Sequence, residues 1–485
     1  MALTKVTNRM TDGAAVNVRD FGAVGDGVTD DTAAIQAAVD YCVSNSLPLE
    51  VPSISRITNT IDVDGTINIE GMGYNTGFFV DGTSSGDAAF RVKGSNSSLR
   101  NFRLYGNAAA GLKIQGSSNA LVTDMLLENL YFHSTSSTAQ LNQVVWIWTA
   151  SQVAVQNCSF ESTGYGVISQ YGYQADDVIV NGCTFSNMYG DAVEANSGGP
   201  VVSNRWTISN CNYSGNADFP DTSAENRFVG TASVQDVVIT GNTVVNAGGD
   251  SVVHIEANGE GKCIISNNTF RDCLGSQGNP GWIYLLNSTK DTTISDNIFI
   301  YDTDRGAQTG IAVSSGSYLH RAVWSGNTFF DTTGTHSFAA ISAKAVNTSS
   351  SLVISSNVGE GLAVFIDCNN TRGLLIDGNM CRDCDYGIWN NAGSSGGGIH
   401  ETSIVNNRIH ANTWTLWISY NSNGTGRCSE IICNNNYLDG PTTFRFSDDC
   451  QFSNNMLSAA STLSTPGNTN FVSENNQQTG TGLLP

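Results

Sequence analysis

From about residue 150 onward one short pattern keeps returning: apolar, any residue, apolar, two small or polar residues, then Asn or Cys, any residue, apolar. It reads VAVQNCSF (153–160), VIVNGCTF (178–185), WTISNCNY (206–213), VVITGNTV (237–244) and CIISNNTF (263–270), and continues to CQFSNNML (450–457). Its landmark residues are Cys158, Cys183, Cys211, Asn242, Asn268, Asn297, Asn327, Asn357, Asn379, Asn407, Asn435 and Asn455, spaced by 20 to 31 residues. Weaker versions near Phe102 and Met125 extend the array upstream. A period in the twenties without helical alternation means stacked coils of short strands, in which no coil buries its apolar face alone. The expected fold class is therefore all-β, a parallel β-helix solenoid of about fourteen coils.

Each unit carries a second strand after a variable loop, as in GYGVIS, GDAVEAN, SVVHIEAN, WIYLLN, AVFIDCN, YGIWNN and TLWISYN. Alternate side chains point into the coil and out of it. A column of Asn at an inward turn satisfies buried amides by bonding along the stack, and Cys at the same place packs as a small hydrophobe. The landmarks thus read as structure, not chemistry.

Composition agrees. Among 485 residues there are 51 Gly and 8 Pro, and only 13% are charged, which suits short strands and tight turns. The net charge of −21 disfavours nucleic acid and anionic membranes as partners, and it also serves solubility. No apolar run approaches the roughly 18 residues of a membrane span, so no membrane insertion is expected. The start, MALTKVTNRMTDGAAVNV, lacks the apolar centre of a secretory signal. Of twelve Cys, only Cys381 and Cys384 form a C-x-x-C, with no second pair in zinc register. They read as buried, reduced thiols of a protein made in a cytoplasm, and no metal or cofactor is expected.

A solenoid needs capped ends. Asp30 and Asp31 offer N-cap and first-turn acids, and Ile35, Ala38, Val39, Cys42 and Val43 follow at helical spacing, which predicts an amphipathic helix over the first coil. Residues 17–50 form this capping segment and 51–457 the β-helix. Residues 458–485, with little apolar periodicity, form a C-terminal strap or tail.

Residues 17–39, NVRDFGAVGDGVTDDTAAIQAAV, resemble the opening segment of the pectate-lyase-like superfamily, nearest to its bacteriophage tailspike members, and LTKVTNRM (3–10) is similar to a tailspike or tail-fibre start. The resemblance implies a right-handed β-helix, a homotrimer, and residues 1–16 as a short segment attaching to other tail or baseplate proteins. It also implies a virion-tail location and binding or cleavage of a bacterial surface polysaccharide. Asp26, Asp30 and Asp31 belong to the cap and carry no catalytic role. Plant and fungal polygalacturonases share this opening, but their NTDG, GDD, GHG and RIK motifs are absent here.

Glycoside hydrolysis uses two carboxyl groups. GDAVEAN (190–196) and GDSVVHIEAN (249–258) share one grammar, with Asp191 and Asp250 each eight residues after their landmark and each strand ending Glu-Ala-Asn. If Val193, Ala195, Ile255 and Ala257 point in, then Glu194, Asn196, His254, Glu256 and Asn258 point out. With one coil between them, Glu194 and Glu256 are expected roughly 9–10 Å apart, near the inverting separation of about 6.5–9.5 Å. One would protonate the glycosidic oxygen and the other activate water, with Asp191 and Asp250 tuning them. The insertion at 214–228 brings Asp218, Asp221, Glu225 and Arg227 over this face. His254 has a rival role as the base of a lyase, for which Arg227 is the one nearby cation. Acids on a solenoid face also simply keep it soluble. Trp282 or Tyr284, Phe365, Trp389 and Trp417 fall on outward positions, where they would stack on sugar rings or form a trimer seam. The reading is a tailspike that binds and hydrolyses a surface glycan, with a non-catalytic receptor-binding virion protein as the alternative.

Overall fold

The computed structural model describes residues 15–485 except 83–87, 118–119, 136–140, 199–202, 216–225, 257–260, 275–280, 288, 315–318, 344–348, 370, 393–398, 421–427, 446, 460, 466–469, 480–481 and 485. The chain is a parallel β-solenoid of about 13 turns, with one α-helix among the described residues. Its contacts divide into two compact units, the first holding the described residues to 215 with 226–238, the second those from 239 onward.

The repeat pattern becomes a corner followed by a core position. The residue before each landmark takes a left-handed backbone: Asn157, Gly182 and Asn210 in the first unit, and Gly241, Asn267, Asp296, Gly326, Ser356, Gly378 and Asn406 in the second. Gly and Asn tolerate that conformation best, which explains the small polar pair in the motif. The next side chain turns inward. In the second unit it is Asn, and the side-chain amides of Asn242, Asn268, Asn297, Asn327, Asn357, Asn379 and Asn407 bond one to the next at 2.9–3.0 Å. The column continues through Asn436, Asn455 and Asn476. The expected landmark Asn435 is off by one: it occupies the left-handed corner, φ 58°, and its neighbour Asn436 fills the column. Three consecutive Asn (434–436) hid the register. In the first unit Cys158, Cys183 and Cys211 take the inward place and donate to carbonyls one coil away, Cys183 Sγ to Val155 O at 3.5 Å for example.

After the landmark comes an aromatic column. Phe132, Phe160 and Phe185 stack at 5.0 and 4.8 Å between centroids, and Phe270, Phe299 and Phe329 at 5.2 and 4.6 Å. All are fully buried, each contributing about 1.5–3 kcal/mol of apolar burial. The capping helix α1 (Thr32–Asn45) buries Ile35, Ala38, Val39 and Cys42, with Val43 only half-buried. The two acids divide the work differently from expectation. Asp31 occupies the N-cap position but turns its carboxylate to the amides of Val24 and Gly25, while Asp30 accepts from the Thr32 amide. Stacked strands run past 457, with Val472–Glu474 and Asn476–Gln478 pairing onto the preceding coil.

Candidate active site

In the first unit, strand Val193–Asn196 buries Val193 and Ala195 and leaves Glu194 and Asn196 half-buried on the outward face. Asn196 Nδ2 donates to Glu194 Oε1 at 2.9 Å and orients the carboxylate. Asp191, at the corner before this strand, is fully buried. Its Oδ1 accepts the Arg227 amide at 2.9 Å and its Oδ2 accepts Arg227 Nη1 at 3.1 Å. Burial pushes the Asp191 carboxyl up to about 7; Arg227 pulls against this and the charge of Glu194 adds to it. Gly230, the register partner of Glu194, explains the closeness, because a Cβ there would stand 2.5 Å from Asp191 Oδ2. A half-exposed acid therefore lies beside a buried carboxyl–guanidinium pair, with a notch at Gly230. Such a pair fixes a neighbouring acid electrostatically without touching substrate itself.

The outward column containing Glu194 continues through earlier coils as Ile168, Trp146 and Lys113. At the usual spacing Lys113 and Glu194 are about 14 Å apart, three coils. Trp146 donates to Gln170 Oε1 at 3.1 Å. The Lys113 ammonium lies 4.6 Å from the Trp146 ring and 3.7 Å from the Trp148 ring, and Trp148 packs on Tyr173 at 4.6 Å. Trp148 Nε1 and Gln115 Oε1 are enclosed and have no hydrogen-bond partner among the described residues, and Tyr171 is 63% exposed. Sequence reasoning missed this platform because it took the repeat from residue 150; the alternation in QVVWIWTA just upstream carried the signal.

The second unit holds the other expected residues. Ser251 Oγ lies 3.0 Å from Asp250 Oδ1 and 3.3 Å from His254 Nδ1, and Asp250 Oδ2 is 3.7 Å from the same nitrogen. Ser251 is fully buried, so this is a positioning contact rather than an exposed nucleophile. His254 and its register partner Tyr284 lie on the face opposite the core residues Val253 and Ile255. They are nonetheless only 8% and 4% exposed, with ring centroids 5.5 Å apart. Glu256 is half-buried and accepts from Asn287 Nδ2 at 3.0 Å. Ala257, Asn258, Asp218, Asp221 and Glu225 lie outside the described residues.

Two outward aromatics are corrected. Trp282 is fully buried and packs inside the coil on Tyr301 and Phe338, the latter at 4.8 Å. Phe365 is likewise fully buried, its ring against Gly359. Both are the second residue of their strands, Gly281–Leu286 and Val364–Cys368, where they and the following isoleucines are all buried and alternation fails. Trp389 and Trp417 are in register, half-buried and 6.1 Å apart, with Tyr386 and Trp414 at 5.0 and 4.6 Å beside them. Among the described residues no group of three or more His, Cys, Asp or Glu is placed to hold a metal ion.

Against this geometry, residues 15–62 match a family described as rhamnogalacturonase A/epimerase, pectate lyase-like. Residues 67–226 and 143–358, together more than half of the chain, match the right handed beta helix region. Among solved structures, a tailspike protein mutant of E. coli bacteriophage HK620 in complex with pentasaccharide is 14% identical, covering 95% of this chain and 80% of that one at a TM-score of 0.46. The Streptococcus pneumoniae surface protein and adhesin PfbA is 13% identical, covering 93% and 100% at 0.40. The Geobacillus virus E2 protein ORF18 is 15% identical at 0.42, over 65% of this chain, and this chain spans 57% of that protein's length. The chain belongs to the right-handed β-helix family, and it opens on a pectate-lyase-like segment.

Proposed function

We propose that this protein is a phage tailspike that binds a bacterial surface polysaccharide, capsule or O-antigen, along the outward face of its coils and hydrolyses it as an endo-glycosidase. One observation carries the reading: the half-exposed Glu194 stands over the buried Asp191–Arg227 pair, in one column with the buried Trp146, against which the half-buried Trp148 packs at 5.0 Å. Aromatic faces hold sugar rings, and the half-buried Trp148 and the exposed Tyr171 present such faces. Glu194 is the group that exchanges a proton with the glycosidic oxygen or the attacking water. Asp191 and Arg227 position it. Glu256 is proposed as a further catalytic carboxyl group, with Asp250 of the same coil tuning it, and has its own variant in the test. A homotrimer, attachment to the virion through residues 1–16 and a place on the virion tail belong to the same proposal.

A non-catalytic receptor-binding protein is the second reading, favoured by the Trp389–Trp417 pair, which offers stacking surface of its own. The lyase reading is weaker, because His254 is nearly closed to solvent. The test is product release from purified capsules and lipopolysaccharides by wild type, Glu194→Gln and Glu256→Gln. Loss of cleavage by about 100-fold or more in Glu194→Gln, with binding retained, is the expected result. Unchanged cleavage in that variant would remove Glu194 from the mechanism. Products absorbing in the ultraviolet would replace hydrolysis by elimination.

A further inference from the structure

A second outward face of the first unit carries a cation, Arg103, that meets no carboxylate among the described residues. Arg103 begins the strand Arg103–Ile114, with Tyr131 as its register partner in the next coil and Gly77, which has no side chain, in the one before. Its guanidinium lies 4.3 Å from the Tyr105 ring centre and 5.2 Å from that of Tyr74. Among the described residues it meets no carboxylate, and its enclosed Nε has no acceptor. Five other arginines of the same unit, Arg56, Arg91, Arg100, Arg205 and Arg227, each reach an Asp or Glu. In a chain of net charge −21 an arginine left without an acid is a local exception to the field.

The surroundings have the shape of a saccharide subsite. Tyr74 is 54% exposed and packs edge-on against Tyr131 at 4.8 Å, and Phe79 lies 5.2 Å from Tyr105. Glu161, an acid beside Tyr131, is already engaged, accepting from the Tyr131 hydroxyl and lying 3.7 Å from His133 Nδ1. The rings hold the planar guanidinium without using its N–H groups, so its two terminal Nη groups, rather than the enclosed Nε, are left for two parallel bonds to a carboxylate.

We infer that Arg103, flanked by Tyr74 and Tyr105, is a subsite for the carboxylate of an acidic sugar, and that the polysaccharide this protein binds is therefore a uronate-type, negatively charged one. This rests on the polysaccharide reading above but not on Glu194, since the subsite is needed for binding and not for cleavage. An anionic glycan would meet an acidic protein here through a built cation, while the tyrosine faces take the apolar side of the ring. Tetrahedral anions fit the fork as well, so the source of the charge has to be separated by experiment.

The experiment is binding of wild type, Arg103→Gln, Tyr74→Ala and the control Arg205→Gln, whose exposed guanidinium is paired with Asp177, to an immobilised panel of neutral, uronate-bearing and phosphate-bearing bacterial polysaccharides, at low and raised salt. Expected is retention of uronate-bearing glycans, weakened by salt and by about 10- to 100-fold in Arg103→Gln, weakened also in Tyr74→Ala and unchanged in Arg205→Gln. Thermal unfolding of each variant guards against misfolding, and Tyr74→Ala, at an exposed position, keeps the test open if Arg103→Gln is unstable. Retention of neutral or phosphate-bearing glycans alone overturns the inference and leaves the polysaccharide reading standing. So does equal binding of uronates by wild type and both subsite variants. Retention of no glycan by any of the proteins overturns both.

Discussion

Replacing Asn327 by alanine interrupts the asparagine column in the middle of the second unit, and its cost follows from four bonds. Asn327 Oδ1 accepts from the Asn297 amide at 3.1 Å and from Asn297 Nδ2 at 3.0 Å, and its Nδ2 donates to Ile294 O at 2.8 Å and Asn357 Oδ1 at 3.0 Å. After the change Asn297 Nδ2 keeps Ile265 O, and Asn357 Oδ1 keeps the residue-327 amide. The Asn297 backbone N–H keeps nothing. One stranded buried donor costs about 1–3 kcal/mol, and the partly compensated groups and the small void add about 2 more. The expected loss is about 3–5 kcal/mol, read from guanidinium unfolding with the fully buried Trp324 of the same coil among the fluorescent reporters. Asn327→Cys should recover part of it, because the cysteines of the first unit donate to carbonyls at the same corner, as Cys211 Sγ does to Val180 O. A loss below about 1 kcal/mol for Asn327→Ala, or a cysteine variant worse than alanine, would refute this account of the column.

Three further outcomes are expected. Asp191 titrates near 7 when folded against an ordinary value of 3.8; its favourable contribution is full below 3.8, falls as pH rises and is gone above about 7, so Asp191→Asn should flatten the stability profile across that window, and an unaltered slope would contradict the assignment. Gly230→Ala drives a Cβ to within 2.5 Å of Asp191 Oδ2 and should reduce cleavage in the same direction as Glu194→Gln, which initial rates on the preferred glycan will show. All twelve thiols are free and buried, and burial lifts Cys42 to about 11 and Cys263 and Cys273 to about 12; a thiol reagent should find no fast-reacting cysteine in the native chain and twelve after unfolding.

The coil and its corner were legible because they depend on nearest-neighbour rules. A left-handed corner selects Gly or Asn, the next side chain must satisfy itself indoors, and alternation assigns Val193, Ala195 and Ile255 to the core. The same rules failed where two consecutive residues turn inward, at Trp282 and Phe365, and where three Asn in a row left the register ambiguous.

Alternation also tells which face a side chain takes without telling whether that face is open. His254 and Tyr284 lie outward yet are nearly buried, Asp191 is sealed against Arg227, and Trp389 and Trp417 remain half-open. Such differences arise from what neighbouring coils and their corners lay over each position, at separations of 20 to 30 residues or more. The Arg227 partner of Asp191 is 36 residues away, and Glu161 reaches Tyr131 across 30. The amino-acid sequence alone determined the solenoid, its capping helix and its inward columns, because period and backbone strain are local quantities. Only the tertiary structure decided which outward acids and aromatics meet solvent or one another, because exposure and pairing are set by the stacking of distant segments.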